Sequence, residues 1–208
     1  MDAALALAEA GLGTTAPNPS VGCVLVRDER VVGFGATAPG GRPHAEAIAL
    51  SMAGGEAEGA TAYVTLEPCA HTGQTPPCVE ALIAAGVARV VVACTDPFPQ
   101  VAGKGIARLE AAGIAVETGL RQHEAETLNR GFFKRLETGL PYVGIDPEPR
   151  RYDADLPARL DGDPHTVLLG LGRDGLTRVR AQPDSAAARA LREAGLADYD
   201  ADSVTTGR

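Results

Sequence analysis

The feature that most restricts how this chain can fold is a set of metal-binding side chains scattered along it. They are His44 in His44-Ala45-Glu46, Cys69 after Pro68, and Cys78 after Pro77. One imidazole and two thiolates suit a zinc ion. Structural zinc sites usually close the tetrahedron with four protein ligands, whereas catalytic sites supply three and leave a place for water. Taken singly, a His that opens a helix is ordinarily a cap and a Cys is ordinarily core. Jointly, in strand–loop–helix settings, the three read as one catalytic-type site, with His71 the nearest candidate for a fourth ligand if the zinc were structural. Glu46, two positions past His44 on a first helical turn, reaches the same space without binding the metal.

The pattern around these residues alternates helix and strand. Residues 2–12 read as an Ala/Leu helix, Thr14 to Ser20 as a Pro-rich loop, and 21–27 and 31–37 as a hairpin turning at Asp28-Glu29-Arg30. A helix over 45–52, strand 61–66, helix 77–85, strand 89–94, helix 103–112, strand 114–117 and helix 121–137 follow. That order predicts an α/β fold: a three-layer α/β/α domain whose central sheet is mixed because of the opening hairpin. His44 falls at one helix start, Cys69 in the loop after a strand, and Cys78 at a second helix start.

After Val143 the character changes, and the expected division is a zinc-dependent domain over 1–143 and a linker with a small C-terminal tail over 144–208. Residues 146–164 are rich in Pro, Asp and Arg and read as irregular. Two short strands are expected within 165–180, a helix over 184–195, and a frayed end from Asp198. Gly170-Leu171-Gly172-Arg173-Asp174-Gly175 spells G-x-G-x-x-G, but Leu176 to Arg180 alternates like a strand and Pro183 follows. A Gly-rich hairpin is therefore expected, with no nicotinamide site.

Composition bounds the partners. No apolar run approaches the roughly 20 residues that span a bilayer, and the apolar N-terminus carries Glu9 without a basic flank, so a cytoplasmic location is expected. A net charge of -8, 4% aromatics and no Trp, with a pI near 5.0, argue against a nucleic-acid binder. A small diffusing substrate fits better. Of the four cysteines, Cys23 and Cys94 lie in Val-rich runs and read as buried core.

The chemistry follows from the residue types. Zinc makes hydroxide available near neutral pH, and hydroxide adds to a ring carbon that bears an exocyclic amine. The departing nitrogen then needs a proton, and a carboxylate that takes one from water can return it there. An H-x-E beside a P-C pair is the zinc deaminase signature. Many nucleoside and tRNA deaminases have two residues between their cysteines; here eight intervene. With Pro17-Asn18-Pro19-Ser20-Val21-Gly22, Val64-Thr65-Leu66-Glu67, Thr95-Asp96-Pro97, Val101 to Gly105, Leu128 to Phe133 and Gly139 to Val143, the chain closely resembles the riboflavin-pathway pyrimidine deaminase family.

The resemblance implies a cytidine deaminase-like fold and hydrolytic deamination of 2,5-diamino-6-(ribosylamino)pyrimidin-4-one 5'-phosphate. It implies Zn2+ on His44, Cys69 and Cys78, Glu46 as proton shuttle, and a pocket lined by Asn18, Ala45, His71 and Asp96. It also implies a phosphorylated pyrimidine as small-molecule partner and a homo-oligomer. Gln74 stands where relatives often have a basic residue, and Phe98 where they often have Asn; Lys104 or Arg42 are the candidate replacements for the cation. The lysine and Ser-Leu-Asp-Gly continuation of bifunctional relatives, which leads into a reductase of the dihydrofolate-reductase type, is absent after Val143. The tail is expected to be unrelated to that domain or decayed. Two alternatives stand: a zinc deaminase acting on another aminopyrimidine or a guanine-like base, and a non-catalytic zinc-stabilised binding module.

Overall fold

The computed structural model describes residues 1–71, 76–97 and 102–205, which divide into two compact units. The first holds Met1–Gly11 with Ser20–Asn129, and the second Leu12–Pro19 with Arg130–Arg208. Among the described residues, no helix is long and apolar enough to cross a membrane.

The first unit is a five-stranded mixed sheet in the order β2-β1-β3-β4-β5. Strands β1 (Gly22–Arg27) and β2 (Arg30–Ala36) form the opening hairpin, with Arg27 opposite Arg30. Its two turn residues, Asp28 and Glu29, both have positive φ (48° and 63°), the backbone twist that two-residue hairpins favour. Strand β3 (Thr61–Leu66) runs antiparallel to β1 and parallel to β4 (Arg89–Cys94), and β5 (Ala115–Thr118) extends the parallel half. The run Val90-Val91-Val92-Ala93 is buried throughout, as a central parallel strand covered on both faces should be.

Helices cover both faces. Helix α1 (Asp2–Ala10) lies against β1, where a Cβ on Gly22 would stand 1.9 Å from the Ala4 carbonyl oxygen. Helix α2 (Ala45–Ala53) presses on the other face, where a Cβ on Gly35 would meet the Ala45 oxygen at 2.6 Å. Gly22 pairs with Ala36, so Gly22 and Gly35 point to opposite faces, and the three-layer arrangement follows. Helices α3 (Cys78–Ala84) and α4 (Lys104–Ala111) continue the α2 layer. Helix α5 (Gln122–Thr138) begins in the first unit and ends in the second. In its first half, Asn129 is buried and bonds both backbone groups of Ser20 at 3.0 Å, which fixes the chain as it enters β1.

The second unit is a parallel sheet in the order β7-β8-β6-β9, built from β6 (Tyr142–Ile145), β7 (Ala154–Asp155), β8 (Arg178–Ala181) and β9 (Tyr199–Asp200). Helix α6 (Pro164–Arg173) joins β7 to β8, α7 (Ala186–Glu193) joins β8 to β9, and α8 (Ala201–Thr205) follows β9. Val143, Ile145, Leu168, Val179 and Leu191 make its core. Two expectations fail here. The G-x-G-x-x-G run is not a hairpin: Gly170 and Gly172 lie inside α6, and only Gly175 follows it. The end from Asp198 is not frayed, since it supplies β9 and α8; residues 206–208 lie outside the described residues. The helix expected over 184–195 is α7.

Two buried arginines lock the irregular stretch before α6 onto β8. Arg180 forms a two-pronged pair with Asp155, both arms 2.7 Å, and also donates to the carbonyls of Asp146 and Pro147. Arg178 lies 4.6 Å over the Tyr142 ring, which also faces Arg130 at 4.8 Å. Asp153 accepts from the Thr177 amide and hydroxyl and from the Arg178 amide.

Candidate metal centre

The site forms where parallel strands end, the usual place for ligand sites in open α/β sheets. Cys69 follows β3, and Asp96 follows β4. His44 occupies the N-cap position of α2, yet its side chain makes no capping hydrogen bond. The imidazole is turned elsewhere: Nδ1 lies 3.3 Å from Cys78 Sγ and 3.7 Å from Cys69 Sγ. Cys78 is the first residue of α3, after Pro77, and its amide donates to Cys69 Sγ at 3.3 Å. One ligand atom from each of the three lies within 4.8 Å of the others. Tetrahedral zinc with Zn–S of about 2.3 Å and Zn–N of about 2.0 Å sets ligand atoms roughly 3.5–3.8 Å apart, so the trio fits the ion. His71 is exposed and stands outside the group, so among the described residues three ligands converge, the catalytic count.

The charges agree with the geometry. A hydrogen bond from the Cys78 thiol, aided by His44 and the Cys78 amide, pulls Cys69 down to about 4 against burial. Cys78 is pushed up because its proton is the one held against Cys69, with burial adding to the effect. Without a metal the two sulfurs thus hold one proton between them, the proton that a cation displaces. His44 is raised, chiefly by its hydrogen bond to Cys69.

Glu46 sits on the first turn of α2 and is buried; burial pushes its carboxyl up, and the Cys69 charge adds to this. Ala45, one residue earlier, is fully buried at the β2 contact. Asp96 is half-buried, and its amide donates to Glu67 at 3.2 Å. Asn18 belongs to the second unit, in a turn where its amide donates to the Thr15 carbonyl. Gln74 and Phe98 lie outside the described residues. Cys23 and Cys94 are buried, the Cys94 thiol donating to the Thr65 carbonyl. Burial raises both thiols, Cys94 to about 12.

Sequence reasoning used Glu67 only as part of a motif. The structure makes it a buried carboxylate that accepts three backbone amides. The available signal was an acid directly after the buried strand Thr61–Leu66, where a charge needs partners.

Comparison with known proteins agrees with the geometry. Residues 1–94 match the family described as cytidine and deoxycytidylate deaminase zinc-binding region. The riboflavin biosynthesis protein RibD of Escherichia coli is 52% identical over 196 residues, covering 94% of this chain and 50% of that protein. The diaminohydroxyphosphoribosylamino-pyrimidine deaminase of Buchnera aphidicola from Schizaphis graminum is 50% identical over 68% of this chain and 96% of its own. Acinetobacter baumannii RibD superposes with a TM-score of 0.81 at 32% identity, over 95% of this chain and 83% of that one. The chain spans about half the length of the E. coli relative, and that match extends well past Val143.

Proposed function

The chain belongs to the diaminohydroxyphosphoribosylaminopyrimidine deaminase family, and from that premise we propose that it hydrolytically deaminates 2,5-diamino-6-(ribosylamino)pyrimidin-4-one 5'-phosphate in riboflavin biosynthesis. The C–NH2 bond of the ring breaks, water supplies the new carbonyl oxygen, and ammonia leaves. The observation that carries the reading is the convergence of His44, Cys69 and Cys78 with the buried Glu46 carboxylate on the same helical turn as the His44 cap.

His44, Cys69 and Cys78 would hold the zinc, whose Lewis acidity makes an attacking oxygen available near neutral pH. Glu46 has the two proton tasks. It accepts a proton from water as the oxygen adds, and it delivers that proton to the departing nitrogen. Burial raises its pKa above the ordinary value, which favours holding the proton between the two tasks. Asp96, His71, Ala45 and Asn18 are the substrate contacts this reading assigns, on the strength of family membership. The chemistry is assigned to residues 1–143, and no part in it to 144–208. By the same membership the protein is expected to self-associate, which light scattering on the purified chain measures.

The test is ammonia release from the ribosylamine phosphate, run beside a panel of other aminopyrimidines and guanine. Zinc-loaded protein should turn over the first compound. Glu46→Gln should keep about one zinc per chain and lose at least about 100-fold in kcat, the scale of a removed general acid–base. Turnover that survives this change would remove Glu46 from the mechanism, and turnover of a different panel member alone would replace the substrate.

A further inference from the structure

We propose that Glu67 is a positioning residue that sets substrate affinity by tying Asp96, just after β4, and the start of α4 to the Pro68–Cys69 segment; the inference rests on the deaminase reading above. Glu67 is buried two residues before Cys69, and its hydrogen-bond partners are main-chain amides. Oε2 accepts from Asp96 at 3.2 Å and from Gly103 at 3.0 Å, and Oε1 accepts from Gly105 at 2.9 Å. Two of these bonds complete the start of α4. Its N-cap is Gly103, in the left-handed region with φ 76° and no side chain to serve as a cap, so a distant carboxylate fills that role at the positive end of the helix.

A helix cap alone would stop there. The third bond goes to the amide of Asp96, outside the helix and on the segment that leaves β4 at the metal-binding end of the sheet. The join is also close. A Cβ on Gly105 would stand 2.2 Å from the Pro68 carbonyl oxygen, so the first turn of α4 is drawn against the residue that precedes Cys69. One carboxylate therefore fixes three things in register: the loop that carries Cys69, the segment that carries Asp96, and the start of the helix that carries Lys104. None of these three bonds goes to His44, Cys69 or Cys78, so the clamp bears directly on the substrate-side segment and reaches Cys69 only through the backbone.

Glu67→Gln keeps the shape but turns an N–H donor toward amide donors. The expected result is zinc at about one per chain, kcat within about 3-fold of the parent, and a KM raised about 10-fold or more. Amide hydrogen exchange at Asp96, Gly103 and Gly105 should accelerate in the same variant, with or without activity. Glu67→Asp, which keeps the charge on a shorter stem, should fall between the two. An unchanged KM in folded, zinc-loaded Glu67→Gln overturns the proposal. So does loss of zinc or of folding in both variants, which would make the carboxylate purely architectural. If the parent protein is itself inactive on the ribosylamine phosphate, the deaminase reading fails and the affinity role with it. Unaltered exchange at the three amides in an active parent–variant pair defeats the clamp and spares that reading.

Discussion

At the scale of single residues, the metal-free site behaves as an acid–base pair of sulfurs. Cys69 carries the charge because amide and thiol hydrogens point at it, whereas Cys23 sits in apolar surroundings that suppress ionisation. A depressed pKa means thiolate at every pH above about 4. After chelation of metal, iodoacetamide at pH 6 should therefore alkylate Cys69 and spare Cys23, and restored zinc should protect Cys69; peptide mapping by mass spectrometry reads both outcomes. The metal-binding trio was legible in sequence because each ligand type is chemically distinctive and each sits beside a helix start or strand end. Glu67 was not, because its partners are backbone amides, which every residue except proline possesses. A carboxylate that binds main chain leaves no complementary side chain to find.

At the scale of elements, the contact between β2 and α2 positions both His44 and Glu46. Gly35→Ala places a methyl 2.6 Å from the Ala45 oxygen and 2.7 Å from Ile48 Cβ, so α2 has to shift. Zinc affinity should fall about 10-fold or more, measured by competition with a chelating dye, because ligand geometry is strict. Gly55→Ala, in open space, is the control and should change nothing. Helix α6 offers the opposite case. Gly170 is helical and open, so Gly170→Ala should stabilise the second unit by about 0.5–1 kcal/mol in denaturant unfolding. Gly172→Ala should destabilise it, since its methyl would meet the Gly139 oxygen at 1.9 Å. Helix α6 was misread as strand because Leu176 to Arg180 alternates. The outweighed signals were Asp163, whose carboxylate caps the Thr166 amide at 2.9 Å, and Pro164 in the first turn. In the first unit, periodicity and cap residues agreed, and the elements fell within about two residues of their expected limits.

For the molecule as a whole, the two units draw on different chemistry. In the first, the metal trio adds a bound-ion contribution that grows with free zinc. The second relies on arginine–carboxylate locks, Arg180 with Asp155 and Arg192 with Asp200. Hydrogen bonds from these guanidiniums hold both aspartates below the ordinary 3.8. A depressed carboxylate contributes stability that is complete above that value and lost as pH falls through the lowered value of the folded chain. Protection of the amides within 142–200, measured against the intrinsic exchange rate at each pH, should therefore fall as pH drops from about 5 to below the ordinary carboxylate value, whereas chelation at neutral pH should quicken exchange around 44–46, 69 and 78. The architecture of the first unit followed from alternating elements, but the parallel sheet of the second did not, because two-residue strands such as β7 and β9 leave no period to detect. One consequence concerns wear. Because the His44 imidazole and the Glu46 carboxyl ride a single turn of α2, small drifts of that helix carry both along together and leave their spacing intact. Substitutions that move α2 bodily should thus loosen the grip on the sulfurs while leaving the reach from imidazole to carboxyl unchanged.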